Sequence, residues 1–468
     1  MLGNPLILYY LHPAKLYFKA FLIGLLGLGL SLAWAGPSVY PTGTTIYDPA
    51  RAYNSYVLFS GGDNVARLID LNGNVVNTWP DAGTHSTLID PALNAGRLGH
   101  VLVTESSTEG RGTDLVPGLN RTRISKVIAE LDWQGNPVWR FGEKAPGGLA
   151  QQHHDWARLA NGNTLLLANL VHKVPGFKLP QLLDDVIYEV NPAGEVVWKW
   201  VASEHLQEFG FTPAELERVK NTANADYLHF NNLKVVGPNR WYKAGDQRFH
   251  PDNLVVDSRN ANFIAIIDRK SGKVVWLLGP HYAGSESFGQ KSRTVPRPVD
   301  QISGQHDAYI IPEGLPGAGN LLVFDNQGEA GYPPAVLSTT GGSRILEIDP
   351  IKKEIVWQYT GENSGGYAGS FRSPYVSNAR RLPNGNTFID EGETGRLFQV
   401  TREGDIVWEY INPYPRAGKD AVTGKNISNP LIYRGQPVPY DWVPAGTPRS
   451  EKAVNPPRQA DFHIPAQR

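Results

Sequence analysis

The sequence predicts an all-β chain, a six-bladed β-propeller with four-stranded antiparallel blades, on three observations. A hairpin pattern ending on tryptophan recurs six times. A second strand–turn–strand unit follows five of these hairpins, and a sixth precedes the first. The composition, with 49 Gly and 36 Pro, suits many turns rather than long helices. Two hairpins make one four-stranded blade, and six such repeats close a ring.

The hairpin is clearest in Leu346–Tyr359, LEIDPIKKEIVWQY. There Leu346 and Ile348, then Ile355 and Trp357, alternate with polar residues across a turn at Asp349–Lys353. Period-two alternation is that of a half-buried strand. Five copies match it: ARLIDLNGNVVNTW ending at Trp79, AELDWQGNPVWRF at Trp139, YEVNPAGEVVWKW at Trp198, AIIDRKSGKVVWLL at Trp276 and FQVTREGDIVWEY at Trp408. These five place Gly where the turn needs a permissive backbone; the Leu346 copy has Lys instead. The tryptophans are expected to plug the gaps between wedge-shaped sheets.

The second unit reads QHHDWARLANGNTLLLA at Gln152–Ala168, QHDAYIIPEGLPGAGNLLVFD at Gln305–Asp325 and SNARRLPNGNTFIDE at Ser377–Glu391. Weaker copies begin at His85 and His229, the latter HFNNLKVVGPNRWYKAGD, and Thr45–Ser60 fills the same slot ahead of the first hairpin. Successive tryptophans stand 51 to 81 residues apart, the longer gaps holding insertions at Glu204–Asp226 and Gly279–Ser303. The first insertion carries a helix start at Thr212-Pro213, with Glu215 completing a capping box.

The expected organisation is an amino-terminal signal or anchor over residues 1–36, the propeller over 44–411, and a Pro-rich tail over 412–468 that packs partly on the propeller. Phe21–Leu32 is an apolar run after Lys15 and Lys19, followed by Ala33-Trp34-Ala35, the pattern of a cleaved secretory signal. Retention as a membrane anchor is the alternative, because Pro5–Leu11 is also apolar. Either outcome puts the propeller in the periplasm or on the outer face of the cytoplasmic membrane. In the tail, Pro430–Pro444 has the aromatics to pack on the barrel side, and the chain beyond Ala445 is expected to be loose.

Charge and cysteine content narrow the chemistry. A net charge of −1 gives no hint of nucleic-acid binding. With no Cys in the chain, neither disulfides nor thiolate metal sites can form. The first strand of each blade lines the central channel, and its equivalent positions are His85, His154, His229, His306 and Asn378, with Thr45–Tyr53 supplying the sixth. Four of the 12 histidines on one repeat position point to a site. Neutral imidazoles there could hold a metal, with Asp155 or Asp307 behind them. Alternatively one imidazole acts as a nucleophile toward a sulfuryl or phosphoryl group while Asn231, Arg380 or Arg381 donates to the oxyanion. No phosphate-binding loop, nucleophile elbow or dinucleotide fingerprint appears.

HHDWARLANGNTLLL, GQHDAYIIPEGLPGAGNLLVFDN, the segment from Asn378 through Tyr410 and the tail motif PVPYDWVP together resemble the bacterial arylsulfotransferase family, over roughly Thr45 to Pro444. The resemblance implies an exported six-bladed propeller that moves a sulfuryl group from a phenolic sulfate ester to a phenolic acceptor. Its route would be ping-pong, through a sulfated channel histidine assisted by further histidines and an arginine, with no cofactor and no metal. Carried over by motif, His306 matches one channel histidine, and His154 or His229 a second. The histidine expected in the next blade falls on Asn378, which cannot carry the intermediate. The arginine expected soon after the FDN motif is missing, since no Arg lies between His306 and Arg344.

These departures leave three readings. In the first, His306, His154 and His229 are catalytic, with His306 as nucleophile or acid/base, and His85, Asn231, Asn378 and Arg380 bind the phenolic substrate. In the second, the propeller is non-catalytic and binds a small ligand or a protein. In the third it is a quinoprotein, because Ala265–Trp276 resembles the tryptophan-docking repeat of those enzymes; six repeats and the absence of vicinal cysteines count against it.

Overall fold

The computed structural model describes residues 41–111, 123–280, 302–332, 341–419 and 425–455, and the architecture in them is a six-bladed β-propeller. The signal or anchor segment lies outside these residues, as does most of the Gly279–Ser303 insertion. Among the described residues, no helix is long and apolar enough to cross a membrane.

Blades two to five each come from continuous chain. In order from the channel outward, the second is Ala82–Leu88, Val101–Glu105, Ile128–Leu131 and Pro137–Phe141. The third is Gln152–Arg158, Thr164–His172, Leu182–Val190 and Val196–Val201. The fourth begins at Phe230–Val235 and ends at Val274–Leu278, and the fifth begins at His306–Ile310 and ends at Glu354–Tyr359. In the fourth, Asn239 caps a short helix, Arg240–Lys243, and the second strand is Leu254–Ser258. The strand expected within His229–Asp246 is therefore displaced, because Asn239 accepts from the Trp241 and Tyr242 amides and turns that stretch helical.

Ring closure differs from the expectation. Gly43–Tyr47 pairs with Ile406–Ile411 as a fifth, outermost strand of the sixth blade. The innermost strand of the first blade is Gly435–Val438 from the tail, paired with Tyr56–Phe59. So Thr45–Tyr53 does not supply the sixth channel position; Arg434, at the head of the tail strand, does. Residues 446–455 are not loose either. Val454 pairs with Tyr47, and the Ser450 amide donates to Asp70.

Five tryptophans bind blade to blade by hydrogen bonds as well as by packing. Trp79 Nε1 donates to Asp132 O, Trp276 to Pro350 O, Trp357 to Arg402 O and Trp408 to Leu71 O, each in a turn of the next blade. In the third blade Trp200, not Trp198, does this, donating to Gly272 O. Trp276, in the stretch that resembles a cofactor-docking repeat, is thus fully used by blade packing. The helix Pro213–Lys220 forms with its Thr212–Glu215 capping box.

Candidate functional site

The innermost strands of blades two to five all slip register near the channel: between Ala82 and Ser86, Gln152 and Trp156, Phe230 and Asn232, and His306 and Tyr309. A bulge of this kind re-aims side chains, so adjacent residues can reach the channel. His154 and Asp307 sit on these bulges with left-handed backbone, at φ of 57° and 60°, and His229, at 54°, stands just ahead of its strand. Strand register pairs Asp155 with Asp307 and His154 with His306, while His229 stands level with Gln151, whose φ is also positive at 48°. The four histidines are therefore not on one structural position; the sequence has no marker for which residue takes the left-handed turn.

Below the histidines lies a buried ionic hub. Arg434 Nη1 is 2.9 Å from Asp155 and 3.0 Å from Asp307. Lys234 reaches Asp155 at 2.7 Å, and Arg380 grips both oxygens of Asp307. Burial alone would raise the Asp155 carboxyl, but Arg434 and then Lys234 hold it well below the ordinary range. Asp307 is likewise held down, with Arg380 first among the cations that outweigh burial. Burial drives Asp257 and Asp390 well up, which keeps them neutral. Three basic side chains thus meet two carboxylates held ionised, although burial lowers the Lys234 ammonium.

A cavity of about 290 Å³ opens above this hub, lined by His85, His153, His154, His229, Tyr375 and Tyr433 among others. His229 Nδ1 lies 2.7 Å from Asp226 Oδ2, so the proton sits on Nδ1 and the Nε2 lone pair is left toward the cavity. The His154 ring packs edge-on to His229 with centroids 4.6 Å apart. His153 Nδ1 is 2.7 Å from His154 Nδ1. Burial lowers both His85 and His153 to about 4, so both are neutral at pH 7. His85 stacks against Trp156 with its Nε2 3.6 Å from Asp155.

His306 is placed differently. It is 2% exposed, and both ring nitrogens are engaged: Nδ1–H donates to Asn326 Oδ1 at 2.8 Å, and Nε2 accepts from the Val376 amide at 3.2 Å. Burial, and then the nearby Arg259 charge, push its pKa well down. Asn326 also donates to Ser373 O and Val376 O. Val376 and Ser377 hold φ of 56° and 85°, so this pair of side chains pins a strained turn. That turn carries Tyr375 into the cavity wall.

The remaining expected ligands are engaged elsewhere. Asn378 donates to Gly435 O and accepts from Gly435 N, which fastens the tail strand to the sixth blade. Asn231 donates to Gln305 O. Arg380 belongs to the hub, and Arg381 pairs with Glu347. These side chains cross from blade to blade instead of facing the cavity. Among the described residues, no group of three or more His, Asp or Glu is arranged to hold a metal ion.

Sequence reasoning missed Arg434, Lys234, His153 and Asp226. The doubled histidine of QHHD was the available signal for His153. For Arg434 there was none, since its strand lies nearly 380 residues along the chain from Tyr56, the start of the strand it pairs with.

Comparison with known proteins adds the following. The family model described as Arylsulfotransferase (ASST) matches residues 53–426. No curated protein matches the chain. Similar solved structures include a protein of unknown function from Bacteroides caccae, 14% identical, covering 82% of this chain and 99% of that one at a TM-score of 0.44. A streptogramin B lyase is 14% identical and covers 85% of this chain and 93% of its own at 0.39.

Proposed function

The chain belongs to the arylsulfotransferase family, and we propose that it passes a sulfuryl group from a phenolic sulfate ester to a phenolic acceptor, with His229 as nucleophile and His154 as the acid and base beside it. The observation that carries this reading is the His229–Asp226 pair, which fixes the tautomer and leaves Nε2 as a lone-pair nitrogen at the cavity. In the first half-reaction Nε2 attacks sulfur. The N–S bond forms as the S–O bond to the ring breaks, and the phenolate takes a proton from His154. In the second, an acceptor phenol gives its proton to His154, its oxygen attacks sulfur, and the N–S bond breaks.

Two further features support the reading. The basic side chains of the hub stabilise charge on the sulfuryl oxygens from below. Tyr375 and Tyr433 offer aromatic walls to a phenol ring. The reading includes export, on the strength of the amino-terminal pattern.

The test is release of 4-nitrophenol from 4-nitrophenyl sulfate with phenol as acceptor. His229→Ala should lose roughly a thousandfold or more, as loss of a nucleophile does. His306→Ala should lose less, through a displaced Tyr375 turn. Abolition by His306→Ala with His229→Ala still active would overturn the assignment.

A further inference from the structure

The cavity histidines do not end at His154. His153 lies behind it, with the two Nδ1 atoms 2.7 Å apart. The other nitrogen of His153, Nε2, is 3.4 Å from Asp185 Oδ1. Both Nε2 and Oδ1 are buried, and neither makes a hydrogen bond among the described residues. Asp185 is 1% exposed, and its second oxygen accepts from the Phe230 amide at 3.2 Å. Two complementary atoms left to each other in a dry interior are expected to share a proton.

We propose that Asp185, His153 and His154 form a proton wire that serves the leaving and attacking phenols of the transfer reaction. This rests on the sulfuryl-transfer reading and deepens it. The resting state follows from the donors. Burial, with Asp226 and Asp184 nearby, drives the Asp185 carboxyl well up, so it is protonated and donates to His153 Nε2. His153 then carries its proton on Nδ1 and donates to His154 Nδ1. His154 in turn presents Nε2–H to the cavity.

When the S–O bond breaks, the phenolate takes the His154 Nε2 proton. The His153 Nδ1 proton moves to His154, and the Asp185 proton moves to His153. The negative charge passes from the phenolate to Asp185, and no imidazole is left anionic or doubly protonated. The acceptor phenol drives the same steps backward, returning the proton to Asp185 as its oxygen attacks sulfur. His153 and Asp185 are positioning residues that act through His154.

The experiment compares leaving groups. Phenyl sulfate expels a basic phenolate that needs the proton, whereas 4-nitrophenyl sulfate expels a weakly basic one that does not. Asp185→Asn and His153→Gln should each lose about a hundredfold more turnover on phenyl sulfate than on 4-nitrophenyl sulfate, the scale of general acid catalysis. Equal losses on the two substrates would mark a merely structural role and overturn the wire. Should either variant fail to fold, the wild-type chain still decides. A normal solvent deuterium isotope effect with phenyl sulfate that is absent with 4-nitrophenyl sulfate supports the wire, and its absence with both refutes it. No turnover of either ester by the wild-type chain would instead overturn the sulfuryl-transfer reading, and the wire with it.

Discussion

His229 and His306 show how the place of an imidazole in its blade changes what it can do. His229, left-handed just ahead of its strand, lines the cavity with Asp226 behind it. His306, at the start of the fifth blade's inner strand, meets Asn326 on one nitrogen and the Val376 amide on the other. A nitrogen already accepting a hydrogen bond has no lone pair to offer sulfur. The motif pointed to His306 of the fifth blade, whereas the reading proposed above gives the nucleophile's part to His229 of the fourth. The neutral state of the buried histidines also sets a pH dependence. His85 and His153 titrate near 4 when folded and near the ordinary 6.5 when unfolded. Between those values the unfolded chain binds more protons, so stability should fall as pH drops from about 6.5 to about 4. Denaturant midpoints measured across that range should decline steadily; a flat profile would mean that these imidazoles are protonated in the folded chain.

At the scale of the element, each blade's outer hairpin turns on one residue with positive φ. Gly73, Gly135, Gly194, Gly272 and Gly404 occupy that place in five blades, and Lys353 takes it in the fifth blade at φ 58°. The missing glycine was legible in the sequence as the one irregular copy. A left-handed Lys carries a Cβ strain that glycine lacks, so Lys353→Gly should stabilise the chain by about 0.5–1 kcal/mol. Thermal denaturation reads this directly, and a lower melting temperature would contradict it. The inner strands were legible for a related reason, since apolar alternation and Asn-Gly turns are local signals. Asn378 was not. Its amide closes on Gly435 of a strand that is distant in sequence, and nothing local marks an asparagine as a fastener.

At the scale of the molecule, one cation ties the ring together. Arg434 enters from the tail strand of the first blade and meets Asp155 of the third and Asp307 of the fifth. Lys234 of the fourth and Arg380 of the sixth complete the hub. The six-fold repeat and the closed ring were readable because they are periodic; the strand exchange that closes them joins two ends of the chain and has no period. Breaking a buried ion pair leaves its partners uncompensated, so Arg434→Gln should cost about 3–5 kcal/mol. Urea unfolding would show it as a lowered midpoint, and an unchanged midpoint would deny the hub its structural role. The same hub lies beneath the imidazoles to which the anionic ester must come. The most direct test of that account is peptide mass spectrometry of the chain after exposure to 4-nitrophenyl sulfate without acceptor. The account predicts one added sulfuryl group, on the peptide holding His229 and lost on adding phenol; a sulfuryl group on His306, or none on any histidine, would contradict it.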